Sequence, residues 1–147
     1  MQSLDTNILV YAINQGCSEH DRARRVYESM LENPAGWIVC DQVLFEFYRA
    51  LRNHRILERP LDHSAALHQI RFLREDSGVL HCGYDTRFWE KILAGMTGGN
   101  QPSVHIFDRI LAVTLLANGV TTFYTRNTTD FAEFPFKNLV NPIDRPC

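Results

Sequence analysis

Four acidic residues stand where a carboxylate needs a reason. Asp5 falls almost at the start of the chain, directly ahead of the apolar run Ile8-Leu9-Val10. Asp108 lies in Val104-His105-Ile106-Phe107-Asp108-Arg109-Ile110-Leu111-Ala112, where helical spacing stacks it with Val104, Leu111, Ala112 and Leu115. A carboxylate on the apolar side of a helix must be paired, hydrogen-bonded or bound to a metal. Glu46 sits at the rim of the stripe formed by Val43, Leu44, Phe47, Tyr48 and Leu51, and Asp130 closes Thr125-Arg126-Asn127-Thr128-Thr129-Asp130. Each has a plainer reading. Asp5 could cap the helix that follows it, and Asp108 could be a first-turn acid favoured by the helix dipole. Glu46 could pair with Arg49 on a solvated face, and Asn127 and Asp130 are ordinary turn residues.

The elements that must position these acids follow from the pattern of the chain. Short runs rich in strand formers are expected at residues 2–4, 37–40, 79–82 and 121–125, with a short last one near 138–141. Helices are expected over 6–14, 19–31, 41–52, 62–74, 86–96 and 104–117. Asp41 is read as the N-cap of the third helix and Asn118-Gly119 as the C-cap of the last. The stretch Thr97-Gly98-Gly99-Asn100-Gln101-Pro102 reads as the most flexible loop. Strands alternating with helices imply βαβ crossovers, hence a three-layer α/β/α domain around a central, mostly parallel sheet. Strand ends and the starts of the following helices share one edge of such a sheet, which is where ligands bind. Asp5 and the Asn127–Asp130 segment follow strands, while Glu46 and Asp108 lie near helix starts. Four acids on that edge would repel one another and call for a cation. Carboxylate-only ligation suits Mg²⁺ or Mn²⁺ rather than zinc.

Composition narrows the setting without naming a partner. The 147 residues fit one domain, and 45% hydrophobic with 22% charged residues is ordinary for a globular chain. No apolar run has the length of a membrane span, and the opening residues carry no basic-then-apolar leader, so export is not expected. Cysteines at 17, 40, 82 and 147 show no short spacing, which argues against a zinc site and agrees with a reducing cytoplasm. The net charge of −2 does not advertise nucleic acid, although all but two of the 15 basic residues are arginine, the side chain suited to bidentate phosphate contact.

The segments Leu4-Asp5-Thr6-Asn7-Ile8-Leu9-Val10-Tyr11-Ala12, Glu46 within its helix, Phe107-Asp108-Arg109-Ile110-Leu111-Ala112 and Thr125-Arg126-Asn127-Thr128-Thr129-Asp130-Phe131 resemble, in that order, the PIN domain. Within that family they look like the VapC-type toxins of bacterial toxin–antitoxin operons. The resemblance implies a Mg²⁺- or Mn²⁺-dependent endoribonuclease that hydrolyses RNA by in-line attack of an activated water. It also implies a cognate antitoxin and frequent homodimerisation. Carried onto this chain, Asp5 and Asp108 are the principal metal ligands and Glu46 an acidic partner, with Thr6 an auxiliary hydroxyl. Many PIN domains have an acid where this chain has Asn127, so either Asn127 serves as a neutral ligand or Asp130 supplies the charge. A non-catalytic module binding RNA or a partner protein is the alternative that this departure motivates. Arg49 and Arg52 are candidate RNA contacts, and Arg52, Arg55 and Arg59 are read as one helical face. That face could equally be solvated or an antitoxin-docking strip. Trp37, Tyr48, Phe88 and Trp89 are candidates for base stacking or for the core, and the six histidines are read as structural.

Overall fold

A computed structural model describes residues 1–96 and 102–144; most of the glycine-rich loop lies outside the described residues. Five short strands, β1 (Gln2–Leu4), β2 (Ile38–Cys40), β3 (Leu80–Cys82), β4 (Thr122–Tyr124) and β5 (Asn138–Val140), all pair in parallel. They form two ladders, β1-β4-β5 and β2-β3, joined among the described residues by a bridge between Gln2 and Trp37. Trp37 stacks on Tyr124 with ring centroids 5.3 Å apart, so this seam is filled by aromatic contact as well as by backbone pairing. Ile38, Val39 and Cys40 are consecutive and all buried. Because successive strand side chains point to opposite faces, both faces of the sheet are covered, as a parallel sheet requires.

The helices supply the cover: α1 (Thr6–Ile13), α2 (His20–Glu32), α3 (Asp41–Leu51), α4 (His63–Arg71), α5 (Trp89–Ala94), α6 (His105–Ala117) and α7 (Thr128–Phe131). Leu4, Ile8, Leu9, Val39, Phe47 and Phe123 are among the fully buried core residues, and Phe123 meets Phe131 and Phe136 at 4.9 and 5.2 Å. α6 ends as its sequence dictates, with Gly119 at φ +78° and the Val120 N–H returning to the Leu115 carbonyl.

The structure departs from the pattern reading in several places. Cys40 holds the extended N-cap position of α3, and Asp41 is the helix's first residue, its carboxylate paired with Arg74 at 3.1 Å. The fourth helix runs on past Arg71 as a π-turn, Phe72–Asp76, because the Ser77 N–H bonds to the Phe72 carbonyl while its hydroxyl takes that of Leu73. The stretch after Asp85 splits into a 3-10 turn, Thr86–Phe88, and the short α5. α3 stops at Leu51, so Arg52, Arg55 and Arg59 do not form a helical stripe. There Asn53 accepts from the Arg55 N–H, buried Leu57 anchors the turn, and the Leu61 N–H closes it on the Leu51 carbonyl.

Candidate active site

The register of the sheet brings the first acid to its partners. Leu4 pairs with Tyr124, so Asp5 and Thr125 leave adjacent parallel strands side by side. The Asp5 N–H extends the ladder to the Tyr124 carbonyl at 2.9 Å. Its side chain is buried, 9% exposed, and Oδ1 caps α1 by accepting from the Thr6 N–H at 2.7 Å. Oδ2 accepts from the Thr125 hydroxyl at 2.7 Å and from Asn7 Nδ2 at 2.8 Å. Asn7 is itself oriented by the Arg126 N–H, which donates to its Oδ1 at 3.3 Å. A carboxylate offers about four lone-pair sites. Three donors therefore leave Asp5 room for one further ligand.

Glu46 is tied to the same corner from α3. It accepts from the Thr6 hydroxyl at 3.1 Å and from Gln42 Nε2 at 3.0 Å, one turn earlier on its own helix. The Gln42 amide also donates to the Phe107 carbonyl at 3.1 Å, so one side chain joins Glu46 to the residue preceding Asp108. The expected surface pair with Arg49 is replaced by these two donors. Asp108, in the first turn of α6, is half-buried at the boundary between exposed Val104 and Phe107 and buried Leu111 and Ala112. His105 Nδ1 lies 3.4 Å from its Oδ2. Asp130 lies in α7, its N–H bonded to the Asn127 carbonyl at 3.0 Å. Asn127 is exposed and donates its own N–H to Thr125 Oγ1 at 3.0 Å.

These carboxylates feel one another. Burial is the main force raising the pKa of Asp5 to about 6, the charges of Glu46 and Asp108 add to it, and the Thr125 and Thr6 donors oppose it. Asp108 is likewise raised, first by burial and then by the charge of Asp130, with Glu46 contributing and His105 opposing. Asp5, Glu46, Asp108 and Asp130 are thus linked through their negative charges. Among the described residues, no three His, Cys, Asp or Glu side chains stand close enough to enclose an ion directly.

The arginines and aromatics sort differently. Arg49 is exposed on the last turn of α3, and Arg52 turns back over Tyr48, donating to its hydroxyl at 3.1 Å. Trp37 is core, whereas Trp89 is 55% exposed and lines, with Phe45, Tyr84, Ile92, Phe107 and Ile110, an apolar groove of about 580 Å³ beside the Gln42–Phe107 bridge. Sequence reasoning missed Asn7, Gln42, Thr125 and His105. Thr125 and Asn7 carried one usable signal, since each lies within three positions of a strand end on the acid-bearing edge. Gln42 and His105 lie one turn or less before an acid on the same helix, the spacing at which side chains meet.

Comparison with known proteins gives the family. The PIN domain model matches residues 3–137. The chain is 34% identical over 154 residues to Ribonuclease VapC24 of Mycobacterium tuberculosis, covering 97% of both chains. Its fold is that of the Mycobacterium tuberculosis VapC20 toxin, described as Sarcin-Ricin loop cleaving, at TM-score 0.68 and 18% identity over 91% of this chain and 96% of that one. A toxin–antitoxin complex from Klebsiella pneumoniae matches at TM-score 0.60 and 19% identity over 99% and 100%. With a family model matching residues 3–137 and a likeness to a VapC ribonuclease running nearly end to end, the chain belongs to the PIN-domain family, in its VapC-type branch.

Proposed function

We propose that this protein is a Mg²⁺- or Mn²⁺-dependent endoribonuclease and the toxin of a toxin–antitoxin pair. The observation that carries the reading is the linked acid set: a buried Asp5 whose pKa is raised to about 6, with Glu46 and Asp108 both adding negative charge. Such a set is costly without a cation. The residues present fit one. The donors are all hard oxygens, Asp5 retains one acceptor site, and Mg²⁺ is commonly held by one or two carboxylates while keeping several waters. Wide spacing of the acids is therefore compatible with the ion. Asp5 and Asp108 would be its ligands, with Glu46 directly or through water and Asn127 or Asp130 at the fourth corner. When bound, the ion would supply an acidified water and neutralise charge on the phosphoryl oxygens.

The protein's own groups do the rest. Thr6, Asn7 and Thr125 hold Asp5 in one orientation, and Thr6 and Gln42 hold Glu46, so both carboxylates are preorganised before substrate arrives. Glu46, the more accessible of the two, is the group suited to accept a proton from the attacking water. Arg49 and Arg52 would contact phosphates and position the strand without reading its sequence. The identity to a named ribonuclease over 97% of the chain supports RNA as substrate. The Klebsiella complex supports an antitoxin partner, and a cytoplasmic homodimer completes the reading.

The test is hydrolysis of RNA with Mg²⁺ or Mn²⁺ and with chelator. Asp5→Asn and Asp108→Asn should each lower the rate by two orders of magnitude or more while circular dichroism stays native, about 3 kcal/mol of transition-state stabilisation. Full activity in both variants, or activity indifferent to chelator, would sink the assignment.

A further inference from the structure

Cys40 and Cys82 end adjacent parallel strands and are direct partners in the β2–β3 register. Neighbouring strands lie about 4.8 Å apart, inside the window of Cα separations that a disulfide spans. Partnered residues in a parallel pair point to the same face, so the two thiols lie side by side on one face of the sheet. Both side chains are buried, yet Cys40 lines the apolar groove beneath Phe45 and Trp89, which opens a path for a small uncharged molecule. Cys40 also precedes the first turn of α3, the helix that carries Gln42 and Glu46.

The two thiols are inequivalent. The Cys40 pKa is lowered, first by the adjacent Cys82 thiol and then by the Gln42 and Val43 N–H groups at the start of α3, against the opposing effects of burial and of the Asp41 charge. The Cys82 pKa is raised by the adjacent Cys40 and by burial. One sulfur is set up to be the nucleophile and the other to keep its proton until needed.

We propose that Cys40 and Cys82 form a redox-active dithiol which a small peroxide converts to an intramolecular disulfide. The Cys40 thiolate attacks one peroxide oxygen, the O–O bond breaks, and the departing hydroxide takes a proton to leave as water. Cys40 is then a sulfenic acid. The Cys82 sulfur attacks the Cys40 sulfur, forming the S–S bond and expelling the hydroxyl, which leaves as a second water with the Cys82 proton. Two electrons pass from the sulfurs to the peroxide, and a dithiol reductant reverses the step. The product ties β3 to β2 two residues from Gln42, on the edge that carries the acids. The dithiol does not depend on the ribonuclease reading.

The experiment uses the full chain carrying Cys17→Ser and Cys147→Ser, leaving this pair as its thiols. Hydrogen peroxide should lower its intact mass by two hydrogens, with peptide mapping joining Cys40 to Cys82 and dithiothreitol restoring both thiols. Adding Cys82→Ser should instead trap an added oxygen on Cys40, and adding Cys40→Ser should leave a thiol that does not react. Three results overturn the proposal: oxygen added to the pair without a crosslink, a crosslink between chains, or a folded chain inert under peroxide that crosslinks the urea-unfolded chain.

Discussion

Thr125 Oγ1 donates to Asp5 Oδ2 at 2.7 Å, joining residues 120 positions apart at the ends of two adjacent parallel strands. The same oxygen accepts the Asn127 N–H at 3.0 Å, so one hydroxyl orders both the buried acid and the turn leading to Asp130. Replacing Thr125 by valine keeps the shape but removes these bonds and the one accepted from Asn7 Nδ2 at 3.3 Å, and leaves a carboxylate short of a donor. The expected loss is about 2 kcal/mol of stability, read as a lower urea midpoint with an unchanged slope. A midpoint equal to that of the parent would show the hydroxyl to be dispensable.

The pKa of Asp5 sets a pH dependence with a definite sign. Its folded value of about 6 lies above the ordinary aspartate value of 3.8, so between these limits the folded chain holds a proton that the unfolded chain has released. Asp5 therefore lowers stability progressively as pH rises from about 4 to about 6, and the full penalty, roughly 2–3 kcal/mol, persists above that window. Asp108 is shifted in the same direction. Asp5→Asn should be more stable than the parent at pH 7 in chelator, with the advantage shrinking as pH falls toward 4. Urea unfolding of the two proteins across pH 4–7.5 measures the difference; parallel curves would contradict the shift.

Gln42 holds Glu46 and the Phe107 carbonyl with one amide. Gln42→Ala frees both, and we expect roughly a tenfold fall in kcat for RNA hydrolysis, the equivalent of about one hydrogen bond's worth of alignment. KM should change less, because the amide is aimed at the acids. A variant with unaltered kcat and raised KM would move Gln42 from positioning to substrate binding.

Gly95 is required by a neighbour rather than by its own backbone. A methyl group there would occupy the space of the Arg109 guanidinium, which crosses the end of α5 to donate to the Ile92 carbonyl at 2.8 Å and lies 5.4 Å from the Phe134 ring centre. Gly95→Ala should force the guanidinium out and cost about 1–2 kcal/mol, chiefly the charge-assisted bond to Ile92. Thermal unfolding of Gly95→Ala and of Gly95→Ala/Arg109→Ala should show non-additivity, since the clash vanishes once the guanidinium is gone.

Much of the scaffold was readable because local chemistry sets it. The strand at β1 and the helix after it follow from Asp5 as a cap, and Asn118-Gly119 ends α6 through a backbone conformation glycine adopts freely. Asp108 stood out because helical periodicity put it with Leu111, Ala112 and Leu115. Periodicity failed where it was extrapolated: the arginines after Leu51 share a spacing but not a helix, because Asn53 and Leu57 turn the chain. The four-residue α7 and the π-turn after Arg71 depend on a few backbone bonds that no residue pattern announces.

By itself, then, the sequence determined the parallel α/β architecture and which carboxylates were out of place, since both depend on spacing along one chain. Only the tertiary structure decided who holds them. Thr125 meets Asp5 through the register of two strands, and Gln42 reaches Phe107 because the fold brings the starts of α3 and α6 within side-chain reach. Likewise Cys40 meets Cys82 only because β2 and β3 pair in that alignment. Such contacts join residues that are far apart in sequence and ordinary in type, and the physical reason they exist is strand register and helix docking.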